Sequence, residues 1–456
     1  MKSKWGRTGR KRKRKGPSGT KSYAANRSHE WQYIQLQRWL KGRGFQGRHL
    51  RAAEFADTGR GLMATRDLKP GELIIALPET CLITTETVLQ SYLGKYIRLW
   101  RPHVSPLLAL CTFLIAERFA GDCSQWKPYL DVIPSTYSCP VYWELEIIHL
   151  LPAPLRKKAL EQKTEVQELH TESLAFFSSL QPLFCDNVAD IYTYDALRWA
   201  WCTVNTRTVY MKHTQQDRLL AQQDVCALAP YLDLLNHSPE VQVEAEFSKD
   251  RRCYEIRTNS GCRKHDQAFI CYGPHDNQRL LLEYGFVAAN NPHRSVYVTK
   301  DAILAHLSPG DKQMPKKWAL LKEHDFLVNL TFGIEGPSWK LLTALKLLCL
   351  RPEEFTSWKK VILGSFISDA NEQDSRELVR KICFHLLDET SCALKEISLV
   401  RSKKIFDADA AVHLALVESL RLEEKKILHI SANLLQNEPS AGPTGAAGSC
   451  SFTEQK

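Results

Sequence analysis

The sequence lacks the features that mark membrane, secreted and zinc-binding proteins. No uncharged apolar run approaches the ~18–20 residues of a membrane-spanning helix, and the longest, residues 105–116, stops at Glu117. The basic N-terminus is followed by no apolar region, so no secretory signal is predicted. The 14 cysteines are scattered singly, without a Cys-x-x-Cys pair. We therefore expect a reduced, intracellular protein with buried thiols and no bound metal.

Acidic residues are absent from the first 29 positions, which hold 11 of the 61 Lys and Arg residues. The remaining 50 basic residues are balanced by 51 acidic ones, so the rest of the chain has a net charge of −1. A nucleic-acid-binding domain would be expected to spread basic charge over one face, and direct nucleic-acid binding is therefore not predicted beyond this tail. The five consecutive cations Lys11–Lys15 are typical of a nuclear-import signal, while an electrostatic or solubilising role stays open.

The hydrophobic pattern alternates along the chain between strand-like and helix-like periods. Residues 50–90 predict two strands separated by a Lys-Pro-Gly turn. Helical periodicity holds from about 105 to 222, and Thr193 is predicted to cap one of these helices. The chain is helical again from about 310 to 436. Between the two helical regions, three segments alternate as strands do: 241–247, 252–258 and 267–272.

The stretch "ICYGPHDNQRLLLEYGF" (270–286) carries a tyrosine at each end of a short helical pattern. Tyr272 precedes Gly-Pro, Asn277 is predicted to cap the helix, and Gly285 is predicted to end it. Two leucines share the face of Tyr284. Taken alone, this pattern favours a core tyrosine with a hydrogen-bonded hydroxyl.

Two further stretches carry groups suited to a ligand. Asn236-His237-Ser238 ends an apolar run, and its donors and acceptors suit an adenine edge or an amino-acid head group. Gly59 and Gly61 would allow close backbone approach, but no Walker lysine follows and the rest of a dinucleotide fingerprint is missing. Each stretch alone also fits an ordinary turn. Their order along the chain is more informative than any one of them.

That order resembles the SET-domain protein methyltransferases, particularly the branch like the Rubisco large-subunit methyltransferase. Three segments are similar to motifs of this branch: "WKPYLDVIP" (126–134), "DLLNHSP" (233–239) and "EYGFV" (283–287). The resemblance runs from about residue 45 to 435. The absence of cysteine clusters separates the chain from histone methyltransferases whose SET domains are flanked by zinc sites.

The resemblance implies an α+β fold, in which a β-rich, pseudoknotted SET domain with a helical insertion precedes an all-α C-terminal substrate-binding domain. Together with the composition of the termini, it predicts six segments. They are a disordered basic tail (1–29), the N-terminal part of the SET domain (30–104), the helical insertion (105–225), the C-terminal part of the SET domain (226–300), the helical substrate-binding domain (301–436) and a disordered tail (437–456).

The resemblance also implies roles for individual residues. Tyr284 and Tyr272 are the expected catalytic residues: Tyr284 matches the catalytic tyrosine, and Tyr272 matches a tyrosine that shapes the cofactor site and the substrate channel. Arg207 and Phe286 are expected at that channel, although Thr206 stands where the family usually has Ser. The expected cofactor-binding residues are Gly59, Arg60, Gly61, Leu62, Asn236, His237 and Tyr272.

The implied activity is methyl transfer from S-adenosylmethionine to a lysine of a protein substrate, histones included, in the nucleus and the cytoplasm. The attacking amine must be neutral, and burial beside a positively charged sulfonium disfavours its ammonium form. Two alternatives stay open: a methyltransferase that acts on histidine, and a non-catalytic SET protein that binds peptides. The substrate protein, the number of methyl groups and the oligomeric state are not predicted.

Overall fold

The computed structural model describes residues 24–47, 49–211, 226–307, 310–403 and 405–437. The predicted import signal Lys11–Lys15 and the predicted C-terminal tail from residue 438 onward lie outside these residues. The contacts of the chain divide it into two compact units. The first unit is formed by the described residues of 1–134, 179–187 and 207–272, and the second by those of 135–178, 188–206 and 273–456. These units are defined by contacts in space, and each combines separate stretches of the chain. They therefore do not test the six segments predicted along the sequence, which stay a prediction.

Among the described residues, the first unit contains most of the strands and five α-helices of 4 to 15 residues. Its described elements are β1 (Ala25–Asn26), α1 (Trp31–Gly42), β2 (Leu50–Phe55), β3 (Gly59–Ala64), β4 (Glu72–Pro78), α2 (Thr85–Gln90), α3 (Gly94–Leu99), α4 (Pro106–Ala120), α5 (Lys127–Leu130), β5 (Thr208–Tyr210), β6 (Cys226–Leu228), β7 (Asn236–His237), β8 (Val243–Ser248), β9 (Cys253–Thr258) and β10 (Gln267–Ile270). The strands predicted on both sides of the Lys-Pro-Gly turn are confirmed as β3 and β4, and the three alternating segments are confirmed as β8, β9 and β10.

Strand β10 lies between β3 and β7 in the sheet that carries the candidate site. The five-stranded sheet has the order β1-β2-β3-β10-β7. β10 pairs antiparallel with β3 and parallel with β7, where Phe269 lies opposite Asn236. Since β3 and β7 are far apart in sequence, only this shared neighbour brings the Gly59–Leu62 segment and the Asn-His pair into one sheet. The two other sheets of this unit are β4-β9-β8 and β5-β6.

The predicted disordered basic tail (1–29) extends too far along the chain, because residues 25 and 26 form strand β1. Ala25 and Asn26 pair with the edge of β2, and the Arg27 guanidinium is within 2.6 Å of both the Glu30 and the Glu54 carboxylates. Backbone pairing to an existing strand gives this polar segment partners that its own composition did not reveal.

The second unit is predominantly helical. Its described elements are α6 (Leu145–His149), α7 (Ala153–Ser179), α8 (Val188–Ile191), α9 (Tyr194–Arg207), α10 (Asn277–Tyr284), β11 (Val296–Tyr297), α11 (Lys300–Leu304), α12 (Met314–Glu323), β12 (Thr331–Gly333), β13 (Gly336–Pro337), α13 (Trp339–Leu348), α14 (Trp358–Ile362), α15 (Asp369–Lys403) and α16 (Ala408–Asn437). The predicted cap of α9 is confirmed, because the Thr193 hydroxyl accepts the Ala196 N–H at 3.2 Å.

The C-terminal region is helix-rich as predicted but not entirely helical. Strands β12 and β13 form a hairpin that pairs with β11. The stretch "TFGIEGP" allows this hairpin because Gly336 adopts a φ of +98°, which a residue with a side chain rarely adopts. A large apolar cluster, to which α13, α15 and α16 contribute most residues, forms much of the core of this region. No helix in the described part of the chain is long and apolar enough to cross a membrane.

Candidate active site

The predicted first cofactor loop forms the beginning of β3. Gly59 follows a tight turn from β2 and has a φ of +69°. The guanidinium of Arg60 donates to the Val132 carbonyl at 2.7 Å, and the side chain of Leu62 is fully buried. The side chains of Arg60 and Leu62 therefore contact the protein itself, so a ligand at this segment would meet its backbone.

Asn236 joins this loop to the strand pair β7–β10. Its side-chain NH₂ group donates to the Arg60 carbonyl at 2.9 Å and to Gln267 Oε1 at 2.7 Å. Gln267 also exchanges hydrogen bonds with the Thr58 hydroxyl. Both amide hydrogens of Asn236 are used within the protein, so a ligand would meet its carbonyl oxygen. Gln267 was not predicted as a site residue, and the only signal in the sequence is a polar residue at the start of a strand.

Gly61 is glycine because this amide pair leaves no room for a side chain. A Cβ atom at position 61 would lie 2.7 Å from Gln267 Oε1, 2.9 Å from Asn236 Nδ2 and 3.1 Å from the Phe55 ring. The Asn236 amide would have to move, and its two hydrogen bonds would be lost with it.

We expect Gly61→Ala to weaken cofactor binding by roughly 10–100-fold. Two hydrogen bonds, each contributing about 0.5–1.5 kcal/mol, hold Asn236 in place, and about 1.4 kcal/mol corresponds to a tenfold change in affinity. Titration calorimetry with S-adenosylmethionine measures the effect. Gly42→Ala is the control, since a Cβ atom there would meet nothing within 4 Å. Equal affinities for the two variants would contradict this account.

Tyr272, two residues after β10, forms a second hydrogen-bonded pair with His237 of β7. His237 is buried, and its Nδ1 atom accepts the Tyr272 N–H at 3.1 Å. A neutral imidazole with Nδ1 as acceptor carries its proton on Nε2. The Tyr272 hydroxyl donates to the Leu235 carbonyl at 2.8 Å, and the two rings lie 5.2 Å apart. The Tyr272 hydroxyl therefore holds the backbone of Leu235, directly before Asn236, and the Tyr272 N–H fixes the orientation of the His237 ring.

Arg207, the last residue of α9, forms a buried ion pair. Its Nη1 atom lies 3.0 Å from Asp233 Oδ2 and also donates to the Asp233 carbonyl, and the carboxylate is only 3% exposed. The Tyr129 hydroxyl donates to the same carboxylate at 3.0 Å. Thr206 donates its hydroxyl to the Cys202 carbonyl within α9. Sequence reasoning did not single out Asp233 or Tyr129, although both lie inside the motifs "DLLNHSP" and "WKPYLDVIP".

Tyr284 is the last residue of α10 in the second unit. The helix is capped by Asp276, whose carboxylate accepts the Arg279 N–H at 2.8 Å, and not by Asn277 as predicted. Asn277 instead exchanges two hydrogen bonds with the backbone of Ala288. The predicted helix end is confirmed, because Gly285 is left-handed with a φ of 77°.

The surroundings of Tyr284 move the pKa of its hydroxyl further above neutral pH. Its ring lies 6.1 Å from the ring of His275 and 6.4 Å from the ring of Phe286. Burial raises the pKa of the phenol above its ordinary value, the Glu283 carboxylate raises it further, and the Arg279 guanidinium opposes the shift. Near neutral pH the group is an O–H, able to donate and accept a hydrogen bond, and not a phenolate.

The predicted site residues therefore form three clusters. In the first unit, Asn236 bonds to the Gly59–Leu62 segment of the same sheet, and His237 bonds to Tyr272 just beyond β10. Arg207, the last residue of α9 and itself part of the first unit, forms a separate ion pair. The second unit brings together Tyr284 and Phe286. Among the residues that the structure describes, no group of three or more His, Cys, Asp or Glu side chains is arranged to hold a metal.

Two domain families match successive parts of this chain. The SET domain matches residues 59–273, and the domain described as Rubisco LSMT substrate-binding matches residues 308–428. The chain therefore belongs to the SET-domain methyltransferase family, in the branch that carries a Rubisco LSMT substrate-binding domain.

Individual relatives agree with this assignment. The chain is 54% identical to SET domain-containing protein 4 of Homo sapiens over 437 residues, which cover 96% of this chain and 98% of that protein. It is 27% identical to the actin-histidine N-methyltransferase of Callithrix jacchus over 414 residues, which cover 87% of this chain and 67% of that protein. A crystal structure of the SET domain of LSMT bound to lysine and AdoHcy has the same fold, with a TM-score of 0.61 and 22% identity over 90% of this chain and 92% of that one.

Proposed function

We propose that this protein transfers a methyl group from S-adenosylmethionine to a lysine side chain of a protein substrate. One observation carries the proposal: β10 places the Gly59–Leu62 loop and the Asn236-His237 pair in one sheet, where Asn236 bonds to the loop. These are the segments that the family resemblance assigns to the cofactor. The fold neighbour that binds lysine and AdoHcy, the product left when S-adenosylmethionine loses its methyl group, supports the same chemistry.

The residues of the first unit fit S-adenosylmethionine by the chemistry of their donors and acceptors. The carbonyl oxygen of Asn236 suits the ammonium of the cofactor's amino-acid portion, because the NH₂ end of that amide is used within the protein. The backbone of Gly59–Gly61 offers peptide groups where no side chain intervenes. When bound, the cofactor supplies an electrophilic methyl group on its sulfonium. Holding it rigidly is the part that this chain contributes, since an in-line transfer depends on positioning.

We assign to Tyr284 the orientation of the attacking amine. A protonated phenol accepts a hydrogen bond from an amine N–H while leaving the nitrogen lone pair for the methyl group. A phenolate would instead stabilise the unreactive ammonium form by charge attraction. The raised pKa of Tyr284 is consistent with the first arrangement over the physiological range. We assign Arg207 and Phe286 to the substrate channel on the strength of the family resemblance.

A histidine acceptor is the second candidate. It is favoured by the 27% identity to an actin-histidine N-methyltransferase over 87% of this chain. An imidazole requires no deprotonation from a high pKa before it attacks, so a histidine acceptor would not need the site to disfavour its charged form as a lysine amine does.

The test is transfer of radiolabelled methyl from S-adenosylmethionine to core histones and to whole-cell extract, followed by mass-spectrometric mapping of the labelled residue. Label on lysine supports the proposal, and label on histidine supports the second candidate. If the protein binds the cofactor but labels nothing in either preparation, the non-catalytic peptide-binding alternative gains support. We propose histones as one substrate class, and the histone arm of the assay tests this directly.

We also propose that the protein is present in both nucleus and cytoplasm, with nuclear import depending on Lys11–Lys15. Fluorescence microscopy of the full chain should show nuclear signal that falls when these five residues are replaced by Ala. An unchanged distribution would remove the import role of this segment.

A further inference from the structure

The helix that carries Tyr284 is packed against α16, and both helices belong to the second unit. Leu281 of α10 lies in one apolar cluster with Leu414, Val417 and Leu420 of α16. On either side of Tyr284, however, the contacts with α16 are polar.

The first polar contact lies near the start of α10. The side chain of Gln278 donates from Nε2 to Oε1 of Glu424 at 2.9 Å, and this carboxylate is only 2% exposed. Arg421, also buried, approaches the same carboxylate at 3.5 Å and donates twice to the Leu150 carbonyl. The buried Glu424 carboxyl group thus has Arg421 as a cationic neighbour and Gln278 of α10 as a neutral hydrogen-bond donor, and burial raises its pKa above the ordinary value.

The second polar contact follows Tyr284. The backbone N–H of Asn290 donates to Oε2 of Glu423 at 3.2 Å. Gln278 lies six residues before Tyr284 and Asn290 lies six residues after it. Two adjacent carboxylates of α16 therefore hold the segment that carries Tyr284 at both ends.

We infer that Gln278 and Glu424 form a positioning pair that sets the placement of Tyr284, with Glu423 holding the outgoing chain. This inference rests on the proposed function of Tyr284. A buried polar contact is often no more stabilising than well-packed apolar residues, while its hydrogen bonds have directional requirements that apolar packing lacks. An apolar contact alone would let α10 slide along α16, whereas the amide–carboxylate bond fixes its register.

Three variants test the pair. Gln278→Glu places two carboxylates in contact, Glu424→Gln keeps one hydrogen bond without the charge, and the double variant Gln278→Glu/Glu424→Gln exchanges amide and carboxylate. We expect kcat to fall by about 10–100-fold in Gln278→Glu, because a misplacement on the order of 1 Å costs that much. We expect the double variant to restore at least half of the activity. In all three variants the dissociation constant of S-adenosylmethionine should stay within about twofold of that of the unmodified protein.

Hydrogen exchange of the peptide covering 278–285 provides a readout that does not need activity. Hydrogen exchange should be faster in Gln278→Glu than in the unmodified protein, intermediate in Glu424→Gln, and back at the unmodified rate in the double variant. Glu424→Gln also serves as the test if Gln278→Glu does not fold. Gln373→Glu on the exposed face of α15 is the control for the same chemical change. A kcat and exchange rate in Gln278→Glu equal to those of the control would overturn the inference.

The two readouts also separate this inference from the proposed function. An unmodified protein that transfers no methyl group to any acceptor would count against the proposed function. The exchange data alone would then decide whether the pair holds α10.

Discussion

Replacing Tyr284 with Phe is expected to reduce methyl transfer by roughly 100-fold or more while leaving cofactor binding unchanged. The substitution removes one oxygen and keeps the ring, so the contacts with His275 and Phe286 remain. A preorganised hydrogen-bonding group at the reacting centre is worth roughly 10²–10³ in kcat. Initial rates with radiolabelled S-adenosylmethionine, together with calorimetric affinities, measure both parts of the prediction.

Tyr210→Phe is the matched control, since this tyrosine lies on β5 with its side chain 62% exposed. Its rate should equal that of the unmodified protein. If Tyr284→Phe also transfers methyl at the full rate, our assignment of Tyr284 is wrong. If its cofactor affinity falls in parallel with its rate, Tyr284 acts in cofactor binding and not on the acceptor.

Gly285→Ala is expected to disturb the turn behind Tyr284 and to reduce kcat by at least about tenfold. Position 285 has a φ of 77°, which costs an L-residue roughly 1–2 kcal/mol. A Cβ atom there would lie 2.6 Å from Ser138 Oγ and 2.9 Å from the backbone nitrogen of Cys139. The Ser138 hydroxyl already donates to the Gly285 carbonyl at 2.7 Å. The backbone of Cys139 cannot rotate away, so the chain beside Tyr284 has to shift.

Gly364→Ala separates the effect of backbone strain from that of the steric clash. Gly364 has a φ of +75°, close to that of Gly285, but a Cβ atom there would meet nothing nearer than Trp339 Nε1 at 3.9 Å. Both variants should have a lower unfolding temperature because of the strained backbone. Only Gly285→Ala should show a further decrease in unfolding temperature and a decrease in kcat. Identical unfolding temperatures and rates in the two variants would show that the contact with Ser138 and Cys139 does not constrain Tyr284.

Local sequence patterns predicted the elements of the candidate site well. Alternation identified β10, and glycine chemistry identified the end of α10 at Gly285. The prediction of Asn277 as the helix cap was wrong by one residue, because Asp276 and Asn277 are equally good capping residues in isolation. Asn277 was available for the Ala288 backbone only because the chain folds back at that point, and no short-range pattern contains that information.

The partners of the site residues could not be predicted in the same way. Gln267 holds Asn236, Asp233 holds Arg207, and Glu424 holds Gln278. In each pair at least one member looks like an ordinary polar residue of a strand, a loop or a helix. A hydrogen bond depends on the distance between two atoms, and sequence position says little about that distance when the residues are many positions apart.

The sequence by itself determined the main succession of strands, helices and turns, although not short strands such as β1 and β11–β13, and with it the order of the motifs that points to the SET-domain family. Periodicity and turn chemistry are properties of neighbouring residues, so they are readable without a fold. The tertiary structure decided which of these segments meet. The pairing of β10 with both β3 and β7 placed Asn236 against the Arg60 carbonyl, and the packing of α10 on α16 placed Gln278 against Glu424. Such contacts arise when the whole chain buries its apolar surface and satisfies its buried polar groups together, and no single segment specifies them.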